Sequence, residues 1–330
     1  MQNKCSATDF QYCFPNYFCT ANMKVYTDIH SLPIFTKAVI TTGSFDGVHI
    51  GHVQIISQLI NEAKQIGGTP VLITFYPHPK QIVQIKDKPL FVLNTPQEKY
   101  ELLQKMGIAN IVVVPFTKEF SELSAKNYIE DFLVQKFHPS LIVVGYDHRF
   151  GNNREGNFAL LKNEAATNNY EVIEIHEHIL KDITISSTKI RTALLSGDVD
   201  TATLYLGYDY FFSGIVVKGN QLGRTIGYPT ANIEIADENK LVPADGVYAV
   251  DVSIDETIYK GIMNIGNRPT VSGKSKTIEV YIFDFSDDIY GEEIKITLKK
   301  FIRYEVKFEG LEALKLQLKK DAKQAKLINA

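Results

Sequence analysis

Two histidines three residues apart, His49 and His52, close the stretch Thr41-Thr42-Gly43-Ser44-Phe45-Asp46-Gly47-Val48-His49-Ile50-Gly51-His52. An apolar run ends there in a glycine-punctuated turn, and a helical pattern opens. Imidazoles at i and i+3 share a helix face, so both can point at one ligand. The first turn of a helix also offers unpaired N–H groups and the positive end of the dipole, which favour phosphate. The chemistry this suggests is the holding of nucleotide phosphates. Gly43, Gly47 and Gly51 suit it, because a missing Cβ lets backbone and nucleotide approach closely and permits positive φ. Two incidental surface histidines are the rival reading, and the strand-turn-helix setting weighs against it.

Three later stretches carry comparable groups. Thr74-Phe75-Tyr76-Pro77-His78-Pro79 presents an aromatic pair and an imidazole on a proline-stiffened turn. Gly145-Tyr146-Asp147-His148-Arg149-Phe150-Gly151 offers a carboxylate, a cation and rings. Ile185-Ser186-Ser187-Thr188-Lys189-Ile190-Arg191 starts a helix with hydroxyls and bases, a second phosphate cradle. Each taken singly reads equally well as structure: a stiff loop, a surface charge pair and an N-cap serine.

The second half has its own glycine-rich loop, residues 214–232, with Gly219, Gly223 and Gly227. It lacks the Gly-Lys-Ser/Thr ending of a P-loop, yet its backbone amides can wrap phosphates. Thr230 and Asn232, two apart on an extended segment, put neutral oxygens on one side, hard ligands that suit Mg²⁺. In residues 277–283, alternation places Ile278, Val280 and Ile282 on one face and Glu279 on the other. That carboxylate can accept a hydroxyl proton, or simply face solvent, as glutamates usually do.

These groups need elements to position them. From residue 38 to about 196, short apolar runs at 39–42, 71–75, 111–115, 141–145 and 171–175 alternate with amphipathic helices. That rhythm predicts a doubly wound parallel sheet of at least five strands, with ligand sites at the strands' carboxyl ends. Helix 50–66 stops at Gly67-Gly68. Thr95-Pro96-Gln97-Glu98 is a capping box opening a helix through Met106. Ser124 is expected to cap a helix to Lys136, and residues 158–166 supply another. The polar stretch 196–200, then a short helical piece through Leu206, marks a linker at 197–208. Beyond it, strand patterns at 211–218, 247–254, 258–265, 277–285 and 293–304 predict a small antiparallel β-barrel or Greek key. The chain closes in a helix, about 311–327, with Leu311, Leu314 and Leu318 inward and its lysines solvated.

With 330 residues, two domains are expected. A hydrophobic share of 45% against 22% charged excludes a disordered chain. The net charge of −3 argues against general attraction to nucleic acid or anionic membrane. No run reaches the ~18 to 20 apolar residues of a membrane helix. All three cysteines, Cys5, Cys13 and Cys19, lie near the N-terminus, which suits a reduced, cytoplasmic protein. Residues 1–22 have no secretory signal pattern and are expected to be a disordered upstream extension or a misplaced start, folding beginning at Met23.

Taken together, the HxGH turn and the Ser/Thr-rich basic helix start of one sheet resemble the nucleotidyltransferase superfamily. The full set resembles the FMN adenylyltransferase half of prokaryotic bifunctional riboflavin kinase/FAD synthetases. Gly-Arg-x-x-Gly-x-Pro-Thr-Ala-Asn at 223–232, Asn264-Ile265-Gly266-Asn267-Arg268-Pro269-Thr270 and Phe301-Ile302-Arg303-Tyr304-Glu305 resemble the riboflavin kinase half. The resemblance runs from about Met23 to the C-terminal helix. It implies an adenylyltransferase domain at 23–196 and a kinase domain at 209–330. In the first, His49 and His52 would stabilise ATP phosphates while the FMN phosphate attacks the α-phosphorus and pyrophosphate leaves. Gly43, Phe45, Gly51, Ser187, Thr188 and Arg191 would hold the nucleotide. Pro77 and His78 would border the flavin, with Asp147 near flavin, nucleotide or metal. His148 stands where relatives commonly have phenylalanine. In the second domain, Gly219, Gly223 and Arg224 would bind ATP, Thr230 and Asn232 would ligate Mg²⁺, and Arg268 and Arg303 would contact flavin. Glu279 would activate the riboflavin 5′-hydroxyl. ATP is then the co-substrate, and FMN and FAD are the products. Transfer to another acceptor, or a non-catalytic flavin- or RNA-binding module, are the rival functions.

Overall fold

The computed structural model describes residues 23–83, 89–175, 185–219, 223, 227–270 and 273–328, with backbone alone at 268–270 and 273–275. The expected extension, 1–22, lies outside the described residues. Two compact units divide the chain between Ser186 and Ser187.

The first unit is built on six parallel strands: β1 Lys24–Tyr26, β2 Ala38–Thr42, β3 Pro70–Tyr76, β4 Asn110–Pro115, β5 Pro139–Gly145 and β6 Glu171–Ile175. Their spatial order is β1-β4-β3-β2-β5-β6. The five expected strands are present, and Lys24–Tyr26 joins β4 as a sixth, edge strand. All five residues of β2 are buried, as a strand covered on both faces requires. From β2 the chain winds outward through β3 and β4, and later through β5 and β6 on the other side. The carboxyl ends of β2 and β5 therefore flank the switch point where open α/β sheets bind ligands.

Helix α1, Ile50–Ile66, buries Ile56, Leu59 and Ala63 and ends at Gly67 in the left-handed conformation (φ 61°). A short helix, α2, covers Pro79–Val83. Helix α3, Pro96–Lys105, carries the capping box in full: Thr95 accepts from the Glu98 backbone and Glu98 from the Thr95 backbone. After α4, Lys118–Ser121, Ser124 caps the expected long helix, but its middle is widened. Helices α5 (Ala125–Asn127) and α6 (Gln135–Phe137) flank a π-helical stretch, Tyr128–Val134. Helix α7, Phe158–Asn168, leads into β6.

The second unit opens with α8, Ser187–Leu195, and α9, Val199–Leu206. It continues in strands β7 Phe211–Val217, β8 Ala231–Glu234, β9 Gly246–Ile254, β10 Thr257–Thr270, β11 Gly273–Ile282 and β12 Glu293–Arg303, and ends in helix α10, Leu311–Ile328. The strands close into a barrel in the order β10-β11-β8-β7-β12-β9, which leaves no open edge. The stretch expected as a linker, 197–208, contains α9, and α8 and α9 pack with the barrel. Ala244 donates its N–H to the Leu194 carbonyl (3.0 Å), Tyr304 its hydroxyl to Ser196 (3.1 Å), and Lys300 pairs with Asp200.

Helix α10 packs by the expected face: Leu314 and Leu318 are half-buried, and the buried positions beyond them continue the same stripe, while residues 311–313 at its start are exposed. Leu311 is 64% exposed, and the buried positions are Asp321 and Ala325. Ala325 packs with Ala249, Ile262 and Phe283, while the Arg303 guanidinium grips Asp321 by two nitrogens, with Nη2 at 2.7 Å. A polar anchor from the barrel thus sits on the same face as the leucine stripe, a partner that leucine spacing alone does not reveal.

Candidate functional site

The turn between β2 and α1 is left-handed at three places: Phe45 (φ 46°), Gly47 (φ 86°) and Val48 (φ 35°). Of the three glycines expected to supply positive φ, only Gly47 does so. A β-branched residue in this region is an outlier held by its surroundings. Those surroundings are visible. Gly43 donates its N–H to the Ile73 carbonyl (3.0 Å), and the Asp46 carboxylate accepts the Leu93 N–H (2.8 Å). The Ser44 carbonyl accepts from Lys99 Nζ (2.8 Å) and Thr74 Oγ1 (3.2 Å).

His49 is the N-cap of α1, one residue before the helix, and His52 lies in its first turn. Their rings stack at 3.7 Å with planes 15° apart, and Phe45 meets the His52 ring edge-on at 5.1 Å. Burial first, then the neighbouring His49 and Lys99, hold the His52 pKa well below the ordinary value. His52 Nδ1 is buried without a hydrogen-bond partner. The resting pair is thus uncharged at His52. Gly51 is buried in the same first turn, and a Cβ at Gly43 would press within 3.2 Å of the Phe45 ring.

The end of β5 joins this turn through an aromatic relay. The Thr42 hydroxyl bonds the Tyr128 hydroxyl (2.9 Å), Tyr128 stacks on Phe150 (5.0 Å), and Phe150 lies 5.6 Å from His148. Asp147 is exposed beside Gly145. His148 Nε2 is buried and unpartnered. Its pKa is pushed down to about 4, by burial first and then by Arg154 and Arg149. After β3, Pro77 and His78 lead into α2, and His78 Nδ1 accepts the Lys80 N–H (3.1 Å), capping that helix. Ser187 and Thr188 open α8, with Arg191 buried one turn on; all three belong to the second unit.

The barrel gathers its own set. Asn232 on β8 is the register partner of Glu279 on β11, and Asn264 on β10 is its partner on the other side. Opposed residues share a face, so two amides flank the Glu279 carboxylate. Thr230 Oγ1 lies 3.4 Å from Glu279 Oε2. A Cβ at Gly219 would overlap the Asn232 side-chain amide, and one at Gly223 would approach Thr230 Oγ1 within 3.4 Å. Gly219 and Gly223 thus lie close against these groups. A hydroxyl, an amide carbonyl and a carboxylate form a hard-oxygen set of the kind Mg²⁺ accepts while keeping water and phosphate oxygens. Arg303 is bound to Asp321 in α10. Arg224 and the Arg268 side chain lie outside the described residues.

Lys99 and Asp46 were not foreseen as site residues. The available signal was position: Lys99 stands with Leu102, Leu103 and Met106 at helical spacing, a cation where the apolar face of α3 should run. Burial lowers its pKa, and the nearby Asp46 works in the opposite direction.

Comparison with known proteins agrees with this division. Residues 32–189 match the FAD synthetase family model and residues 206–329 the riboflavin kinase model. A bifunctional riboflavin kinase/FMN adenylyltransferase of Buchnera aphidicola (subsp. Schizaphis graminum) is 39% identical over 305 residues, 91% of this chain and 96% of the relative. The protein of that name from Escherichia coli K12 is 36% identical over 302 residues, with the same coverage of each. A crystal structure from Streptococcus pneumoniae, described as a macrolide-efflux protein, superposes with a TM-score of 0.84 at 32% identity, covering 92% of this chain and 99% of its own. Among the described residues no helix is long and apolar enough to cross a membrane. By these matches, the chain belongs to the bifunctional riboflavin kinase/FMN adenylyltransferase family.

Proposed function

We propose that the chain performs both reactions of its family, each with the residues gathered above. Riboflavin is phosphorylated by ATP to FMN on the barrel, and FMN is adenylylated by ATP to FAD, with release of pyrophosphate, at the α/β sheet. The observation that carries this reading is the occurrence in one chain of two arrangements suited to ATP: stacked imidazoles at a helix N-terminus, and a carboxylate flanked by neutral oxygens beside Gly219 and Gly223.

For the kinase, Glu279 accepts the proton of the riboflavin 5′-hydroxyl as that oxygen attacks the γ-phosphorus. Thr230 and Asn232 would hold Mg²⁺, which when bound neutralises phosphate charge. Gly219, Gly223 and Arg224 wrap the ATP phosphates, and Arg268 and Arg303 are assigned to the flavin. For adenylyl transfer, His49 and His52 direct N–H groups at the ATP phosphates, stabilising charge on the leaving pyrophosphate. Gly43, Phe45 and Gly51 shape the nucleotide's seat, and Ser187, Thr188 and Arg191 are assigned to its phosphate tail. Pro77, His78 and Asp147 are assigned to the flavin side. No covalent intermediate is needed, because alignment and charge neutralisation carry phosphoryl-type transfer.

On this reading the adenylyltransferase domain is 23–196, the connector 197–208 and the kinase domain 209–330. A cytoplasmic location accords with cysteine usage confined to the first 19 residues. The test is a chromatographic time course of riboflavin with full-length protein, ATP and Mg²⁺, beside a reaction started from FMN. FMN should rise and give way to FAD in the first, and FAD should form directly in the second. Product in neither would refute the proposal.

A further inference from the structure

A lysine ammonium is rarely buried, because removal from water costs several kcal/mol unless it is paired and hydrogen-bonded. Lys99 is 9% exposed. It projects from the inward face of α3, where Leu102 and Leu103 continue the row as buried hydrophobics. A methionine there would fill similar space without that cost. The site instead spends a charge, and the ammonium goes to one backbone atom, the Ser44 carbonyl (2.8 Å), with Thr74 Oγ1 at 3.5 Å. Thr74 donates to the same carbonyl, so two donors from two elements converge on a single peptide group.

That peptide is the one preceding Phe45, the first left-handed residue of the turn. In a planar trans peptide the C=O and N–H point in opposite directions. Drawing the Ser44 carbonyl down to Lys99 therefore turns the Phe45 N–H to the opposite side of the turn. The same anchor restrains a backbone that is left-handed at Phe45, Gly47 and Val48, a conformation that persists only when neighbours over-determine it. His49 follows immediately and caps α1.

We propose that Lys99 is a positioning residue for adenylyl transfer, pinning the Ser44 carbonyl so that the Phe45 N–H and the His49/His52 pair are preset for the ATP phosphates. This rests on the adenylyl-transfer reading above. Lys99 itself touches no reacting atom; it acts through Ser44.

The experiment compares full-length wild type, Lys99→Met, Lys99→Arg and Thr74→Val in FAD formation from FMN, with ATP and FMN varied separately. Riboflavin phosphorylation is followed in the same preparations. Lys99→Met should raise KM for ATP roughly 10- to 100-fold, the range of one charge-assisted hydrogen bond, with a much smaller change in KM for FMN and kinase activity retained. Thr74→Val, which removes the second donor to Ser44 and the weaker of the two Lys99 contacts but keeps Lys99 on the carbonyl, should move KM for ATP in the same direction by a smaller factor. Lys99→Arg should lie between wild type and Lys99→Met. Should Lys99→Met fail to fold, the arginine and valine variants still decide the matter through their KM for ATP. Unchanged KM for ATP in the variants that fold, or equal rises for ATP and FMN, would overturn the proposal. Absence of FAD formation by wild type would instead overturn the reading on which it rests.

Discussion

At the scale of single residues, protonation and hydrogen bonding separate the two chemistries. Glu279 sits between Asn232 and Asn264 with Thr230 at hand. Glu279→Gln keeps the shape and loses the base, so FMN formation from riboflavin should fall by about 10²- to 10⁴-fold while FAD formation from added FMN continues. Equal loss of both activities in a folded variant would contradict the division of labour. His52→Ala should do the reverse, leaving FMN to accumulate, with FAD formation down about 10²-fold or more; undiminished FAD would remove that histidine from the mechanism. His148 makes a prediction about stability. Its pKa is about 4 when folded, against 6.5 for the ordinary side chain. Between those values the unfolded chain binds a proton that the folded chain refuses. Stability should therefore be complete above about pH 6.5 and decline as pH falls toward 4, with a limiting slope of ~1.4 kcal/mol per pH unit. The buried, low-pKa His52 adds in the same direction. Urea melts of His148→Phe at pH 5 and 7.5 should show a smaller acid loss than wild type; equal losses would mean the ring is not held neutral.

At the scale of elements, local signals were legible and packing signals were not. The capping box at Thr95, the glycine stop at Gly67 and the alternation around Glu279 are encoded within a few residues, and each appears where expected. The π-helical stretch from Tyr128 had no such signal. Tyr128 there meets Phe120, Phe132 and Phe150, contacts made by residues from other elements as well as its own. The buried Arg303–Asp321 pair beneath α10 is a second case. With Asp321 1% exposed, its loss would strand a mostly buried guanidinium. Asp321→Ala should therefore destabilise the barrel unit by about 3 kcal/mol and speed amide exchange along α10, measured by hydrogen–deuterium exchange. Protection equal to wild type would mean that apolar packing of Ala325 suffices to dock the helix.

At the scale of the whole molecule, the proposed assignment gives each chemistry its own set of residues, and FMN is product of one and substrate of the other. Glu279→Gln and His52→Ala proteins, each unable to convert riboflavin to FAD alone, should together produce FAD as FMN passes through solution. Chromatography of the mixture checks this, and FMN accumulation without FAD would show that FMN from one chain does not serve another. The sequence by itself determined the sheet-then-barrel order and most element boundaries, because caps, breakers and periodicity are short-range features. It also indicated Asn232 and Glu279, which the barrel pairs on adjacent strands, and Thr230 just ahead of β8. Only the tertiary structure decided that Phe45 and Val48 take left-handed backbone, that His49 and His52 stack, that α8 and α9 pack with the barrel, and that Lys99 reaches Ser44 across 55 residues. Those outcomes depend on which distant groups meet in the dry interior, where an unsatisfied carbonyl or an unpaired ammonium is costly enough to set the conformation of its neighbours.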